Sequence, residues 1–88
     1  MPILAEFKGK VRYEDLIEGK TLKVERDARR GITRKQVMEH KGDLHPQLVL
    51  EDKNGATLAI YPIPERAYIE VDDGAQINPG DLLAKSSR

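Results

Sequence analysis

Apolar residues along this chain return at every second position far more often than at every third or fourth. Ile3, Ala5, Phe7, Gly9, Val11 and Tyr13 share one parity while Lys8, Lys10 and Arg12 share the other, which is the alternation of a strand with one buried face. It predicts a strand from Ile3 to Tyr13 with Phe7 turned into the core. A second strand is predicted over Lys20 to Asp27, where Leu22 and Val24 share one face and Thr21, Lys23 and Glu25 the other, introduced by a turn at Glu18-Gly19. A weaker one spans Ile32 to His40. Its helical alternative, Thr33 to His40, contains acceptable helix formers but no apolar stripe of helical period.

The strongest local signal is Asn54-Gly55, which separates Gln47 to Glu51 from Leu58 to Tyr61. Both residues tolerate a positive φ, so an Asn-Gly pair between apolar runs reads as a β-hairpin. Pro62 and Pro64 lack the N–H that a central ladder needs and should end the strand or hold it at an edge. The chain restarts in Ala67 to Val71, turns at Asp73-Gly74 and again at Asn78-Pro79-Gly80-Asp81, and finishes in Leu82 to Lys85. About seven short strands with turns this frequent predict an all-β fold, a small antiparallel sandwich or barrel.

Composition narrows the function classes. With 88 residues the chain is expected to form one domain with a thin core, too little wall for a deep active site. Its 39% hydrophobic content is enough to fold, and the absence of cysteine leaves neither a disulfide staple nor a thiolate zinc site. The start, Met1-Pro2-Ile3-Leu4-Ala5-Glu6, has no signal-peptide pattern, and no apolar run approaches membrane-spanning length. A cytoplasmic location and an excised domain of a larger chain are the expectations. Net charge is zero, from 15 Lys and Arg against 15 Asp and Glu. That zero conceals a split: Lys8 to Lys41 holds 11 basic and 6 acidic residues, and the rest holds 4 and 9. The basic excess lies in Arg26, Arg29, Arg30, Arg34 and Lys35.

Candidate chemistry is sparse. His40 and His45 bracket Asp43 beside Glu39, but Gly42 and Pro46 mark a loop and there is no further His or Cys, so loop residues explain them better than a metal site. The serines are Ser86 and Ser87 in the terminal segment, and no nucleophilic triad can be assembled. Asp72-Asp73 before Gly74 reads as a turn whose carboxylates bond the local backbone rather than as an acid–base pair. The seven glycines are dispersed, with no phosphate-cradling loop. Arg26, Arg29, Arg30, Arg34 and Lys35 remain as the candidate contact with nucleic acid or another partner. Tyr13, Tyr61 and Tyr68 are remote from them in sequence, so stacking platforms interleaved with the cations are not expected.

One family resemblance covers nearly the whole chain. Pro2-Ile3-Leu4-Ala5-Glu6, Gly9, Val11-Arg12-Tyr13 and Asp15-Leu16-Ile17-Glu18-Gly19-Lys20-Thr21 resemble the domain inserted in the trigger loop of bacterial RNA polymerase β′ subunits. His45-Pro46, Leu48-Val49-Leu50, Asp52 with Asn54-Gly55, Tyr61-Pro62-Ile63-Pro64, Asp73-Gly74 and Gly80-Asp81-Leu82-Leu83-Ala84-Lys85 follow in the same order and spacing. The resemblance implies a sandwich-barrel hybrid over residues 1–88, itself without catalytic, cofactor or metal residues. It implies a parent nucleotidyltransferase whose magnesium and zinc ligands lie outside this segment. Partners would be the alpha, beta, omega and sigma subunits, DNA and RNA through the complex, and transcription factors, with the isolated segment monomeric. The family continues after Lys85 with an apolar residue and a proline, where this chain has Ser86-Ser87-Arg88, and Arg26 to Gly42 is poorly fixed by the resemblance.

Two other readings stay open at this point. A biotinyl or lipoyl carrier domain is also a small barrel-sandwich, Gly74 and Gly80 to Ala84 resemble its strand-turn element, and Lys53 would stand at the hairpin tip. Carriers for biotin place methionines beside that lysine, and Met38 is far from it in sequence. The other is a stand-alone nucleic-acid-binding barrel, weakened by the zero net charge.

Overall fold

The structure, a computed structural model, describes residues 1–87. Its architecture is easiest to derive from the Asn54-Gly55 hairpin. β5 (Gln47–Glu51) and β6 (Thr57–Pro62) pair from Gln47↔Pro62 to Glu51↔Thr57, with a bulge between Leu50 and Glu51. Asp52 closes the tip by accepting from the backbone N–H groups of Asn54 (2.8 Å) and Ala56 (2.9 Å), and Gly55 takes a φ of 84° that a side chain would resist. Leu48, Leu50 and Tyr61 point inward. Pro62 sits at the end of an edge strand, where its missing N–H leaves no ladder bond unmade.

β2 (Gly9–Glu14) pairs antiparallel with β5 on one side and with β8 (Gln76–Ile77) on the other, giving a four-stranded sheet in the order β6-β5-β2-β8. The second sheet has five strands. It runs β1 (Pro2–Leu4), β9 (Leu82–Lys85), β7 (Tyr68–Ile69), β4 (Ile32–Val37) and β3 (Leu22–Asp27), again all antiparallel. No helix occurs among the described residues.

The inner faces meet in one core. Val11, Leu48, Leu50, Tyr61 and Ile77 come from the four-stranded sheet, Leu22, Val37, Ile69, Leu83 and Ala84 from the other, with Ala5, Ile63 and Ala67 closing the margins. Val49, although buried, lies on the opposite face of β5, between Arg12 and Ile60 in register. Thr21 is the buried polar residue: its hydroxyl donates to Asp15 O (2.7 Å) and accepts from Ile17 N–H (2.8 Å), pinning the turn before β3.

Among the described residues the strand count is nine rather than about seven. The long alternation from Ile3 to Tyr13 is two strands in different sheets, β1 and β2, and β8 is a two-residue strand too short to show a period. Between β1 and β2 the chain crosses from one sheet to the other, held by Ala5 N–H to Asp81 O (2.9 Å) and Glu6 N–H to the Tyr61 hydroxyl (3.0 Å). At this crossing Phe7 turns outward and is 45% exposed, so the core position expected for it is wrong. Alternation reports the inward face only within one sheet; the crossing interrupts it. Gly9 marks the re-entry. A Cβ there would stand 2.5 Å from Glu51 O, so the close approach of β5 excludes any side chain.

The two ends of the described chain are neighbours. Pro2 pairs with Lys85 across β1 and β9, the Met1 amino group donates to Ser86 Oγ (2.8 Å), and Ser86 N–H donates to Met1 O (3.3 Å).

Candidate nucleic-acid or partner interface

β3 and β4 form a hairpin paired from Leu22↔Val37 to Asp27↔Ile32. Only its base is held by the rest of the sheet, because β7 reaches β4 at Lys35 and Gln36 alone. Beyond that point the hairpin is a free two-stranded ribbon in which Glu25, Arg26 and Asp27 oppose Arg34, Thr33 and Ile32. All six are exposed, and so is the tip from Ala28 to Gly31. The core has ended while the ladder continues.

Local chemistry shapes the tip. Asp27 Oδ1 accepts from the backbone N–H groups of Arg29 (3.1 Å) and Arg30 (3.2 Å), and Gly31 supplies the positive φ, 65°, that returns the chain into β4. A shallow depression of about 220 Å³ lies along the ribbon, lined by Glu25, Arg26, Asp27, Arg30, Ile32 and Arg34.

Four of the five sequence-selected cations share this projection. Arg26 and Arg30 are 66% and 75% exposed and reach Glu18 and Asp27 at 3.7 Å, long contacts in open solvent that neutralise them weakly. Arg29 and Arg34 have no carboxylate within ion-pair distance among the described residues. Lys35 stands apart. Its side chain is 20% exposed, on the core side of β4, and its ammonium bonds Asp72 and, at 3.2 Å, the Tyr13 hydroxyl. Burial pulls the Lys35 pKa down, but the bonds to Asp72 and Tyr13 outweigh it and leave the pKa raised. The same bond holds Asp72 below the ordinary carboxylate value, while burial pushes the Tyr13 hydroxyl up. Lys35 fastens the root of the ribbon to the neighbouring sheet.

Tyrosines remote in sequence do arrive at the cations. The Arg34 guanidinium lies 5.7 Å from the centre of the Tyr68 ring and the Lys35 ammonium 5.4 Å from that of Tyr13. Long-range pairing of β4 with β7 brings Tyr68 there, through the register Gln36↔Tyr68, and no local pattern could disclose it.

His40, His45 and the Asp72-Asp73 pair have structural partners. The two ring nitrogens of His40 face Met38 O (3.0 Å) and Leu44 O (3.1 Å). A neutral imidazole can donate to only one carbonyl and the charged form to both, so these bonds, the one to Met38 foremost, raise its pKa. His45 N–H donates to Asp15 Oδ2 (2.8 Å). Asp72-Asp73-Gly74 is a turn, with Gly74 at φ 88°, but its carboxylates do not serve the local backbone: Asp73 accepts from Tyr13 N–H (2.9 Å) and Asp72 binds Lys35. Lys53 stands exposed at the β5–β6 tip.

No protein-family model matches the chain. Curated relatives do. It is 49% identical over 88 residues, its full length, to DNA-directed RNA polymerase subunit beta′ of Rhodopirellula baltica, and 44% identical over 88 residues to that of Opitutus terrae. Identity to the subunit of Borreliella afzelii is 40% over 99% of the chain. In each comparison the chain spans about 6% of the length of the relative. The chain is thus homologous, along its whole length, to one segment of bacterial DNA-directed RNA polymerase subunit beta′.

Proposed function

We propose that this chain is a non-catalytic module of the β′ subunit, carried in the trigger loop, that tunes elongation, pausing and the response to regulatory factors during DNA-templated transcription in the bacterial cytoplasm. The observation that carries the reading is the adjacency of residues 1 and 86. Antiparallel strands lie about 5 Å apart, so a module whose ends are joined by β1 and β9 enters a host loop without separating the two sides of that loop. A rigid all-β body on such a mount moves as one piece when the loop folds or unfolds. Bond formation, with its magnesium and structural zinc, belongs to other segments of the parent subunit, which also joins the alpha, beta, omega and sigma subunits.

Removal of residues 1–88 from a polymerase whose β′ carries this segment, with the flanks rejoined, tests the reading. Nucleotide addition should persist while pause lifetimes or transcript cleavage change. Elongation unchanged in every respect, or loss of addition itself, overturns it. The carrier reading keeps the exposed Lys53 at a hairpin tip in its favour; an intact mass unaltered after coexpression with a biotin or lipoate ligase removes it.

A further inference from the structure

We infer that the free half of the β3–β4 hairpin, through Arg26, Arg29, Arg30 and Arg34, docks on the phosphate backbone of duplex DNA without regard to base sequence. The polymerase reading above supplies the setting in which such DNA would be at hand.

The first argument is local charge. From Lys23 to Lys35 the chain carries six cations and two carboxylates, although the whole chain is neutral. Charges separated by more than about 8 Å are largely screened at physiological salt, and the molecule extends 34 Å. Distant acidic turns are therefore screened from the ribbon; Glu18, 3.7 Å from Arg26, and Asp72, bonded to Lys35, offset part of its charge and leave Arg29 and Arg34 as its unpaired cations among the described residues. Of the two carboxylates, Asp27 is engaged with the backbone of the tip and with Arg30, and Glu25 with Lys23 at 3.2 Å.

The second argument is preorganisation. Asp27 and Gly31 fix the tip, and the cation–π stack on Tyr68 fixes Arg34, so less ordering of long side chains remains to be done on binding. A two-stranded ribbon also matches the width of a DNA major groove.

The third argument selects duplex over single-stranded nucleic acid and over an acidic protein. Single-strand sites stack bases on open aromatic faces, but the free ribbon carries no aromatic side chain, Arg34 lies over one face of Tyr68 and Lys35 over one face of Tyr13, Tyr61 is buried, and the exposed Phe7 stands at the crossing between β1 and β2. Protein interfaces centre on apolar or aromatic anchors, and Ile32 is the one large apolar side chain on the free ribbon. What remains available is guanidinium groups on both faces and at the tip of the ribbon, which suits phosphates.

The test is a fluorescence titration of the 88-residue chain with a short labelled duplex at low salt, repeated with the single strand and with poly-glutamate. Arg29→Glu/Arg34→Glu should weaken duplex binding at least tenfold, and the slope of log affinity against log salt should fall by about 2, since each phosphate contact contributes about 0.9. A charge-matched control, Lys8→Glu/Lys53→Glu, removes two cations from a different surface and should change binding much less. Thermal melts report folding, and Arg29→Gln/Arg34→Gln provides a milder version should the reversal fail to fold. Equal weakening by the arginine and lysine pairs overturns the inference, as does absence of duplex binding at low salt. Tighter binding of the single strand or of poly-glutamate than of the duplex also overturns it. Titration of the chain alone is independent of any elongation assay, so loss of the polymerase reading and loss of DNA docking are separately visible.

Discussion

The two hairpins of this fold use the same device at their tips and differ in everything beneath it. Asp27 and Asp52 each accept two backbone N–H groups of their own turn, and Gly31 and Gly55 each supply the positive φ that reverses the chain. Below Asp52 the hairpin is anchored: Leu48 and Leu50 are 1% exposed and β2 pairs along the whole of β5. Below Asp27 nothing packs until Val24 and Lys35 are reached. The same kind of Asp–Gly tip thus ends one hairpin fixed by burial and one shaped mainly by its backbone ladder, its tip and a few side-chain contacts at its surface. Surface released from the packing role is free to carry charge, and the arginines are found there.

The sharpest way to test this contrast is to remove packing from the anchored hairpin. Leu50→Ala should destabilise by about 2–5 kcal/mol, because it opens a cavity in a core this small domain cannot refill; urea denaturation measures it. A value near zero would erase the distinction. Thr21→Val comes next, at about 1–3 kcal/mol by the same measurement, since Ile17 N–H and Asp15 O both lose their partner at the root of the β3–β4 hairpin. Phe7→Ala, at the crossing between sheets, should cost about 1 kcal/mol rather than the ~3–5 of a buried phenylalanine.

On the free ribbon, Ile32→Thr should stay within about 0.5 kcal/mol of the parent in the same assay, which is the behaviour of solvated surface. The loop joining the two hairpins gives a last, pH-dependent effect. His40 has a folded-state pKa above its ordinary 6.5, so its contribution is fully present below that value and is lost as pH rises through the folded pKa. Melting temperatures should therefore fall on going from mildly acidic to alkaline buffer, and His40→Gln should flatten that slope. Parallel profiles for the two proteins would contradict the role given to its paired carbonyl contacts.

The sequence foretold the anchored hairpin better than the free one, for a physical reason. Burial writes alternation into residues, and Asn54-Gly55 names its turn, so β5 and β6 were legible to within a residue or two. The cations were legible as a cluster, but not the division between four projecting arginines and a half-buried Lys35. That division depends on where β7 stops pairing, a contact between residues more than thirty positions apart. Tyr68 under Arg34 was hidden for the same reason. Ile3 to Tyr13 failed differently: its alternation was real, yet the chain changed sheets within it and left Phe7 outside.

The neighbouring ends have a thermodynamic consequence for a module grafted into a host loop. A flexible insertion of this length would add a loop-closure penalty of roughly 4 kcal/mol to whatever structure the host loop must form. On the proposed insertion, the pairing of β1 with β9 would leave the host loop a gap no wider than one strand spacing. A loop that must order and disorder repeatedly could then carry these residues with almost no change in its own equilibrium.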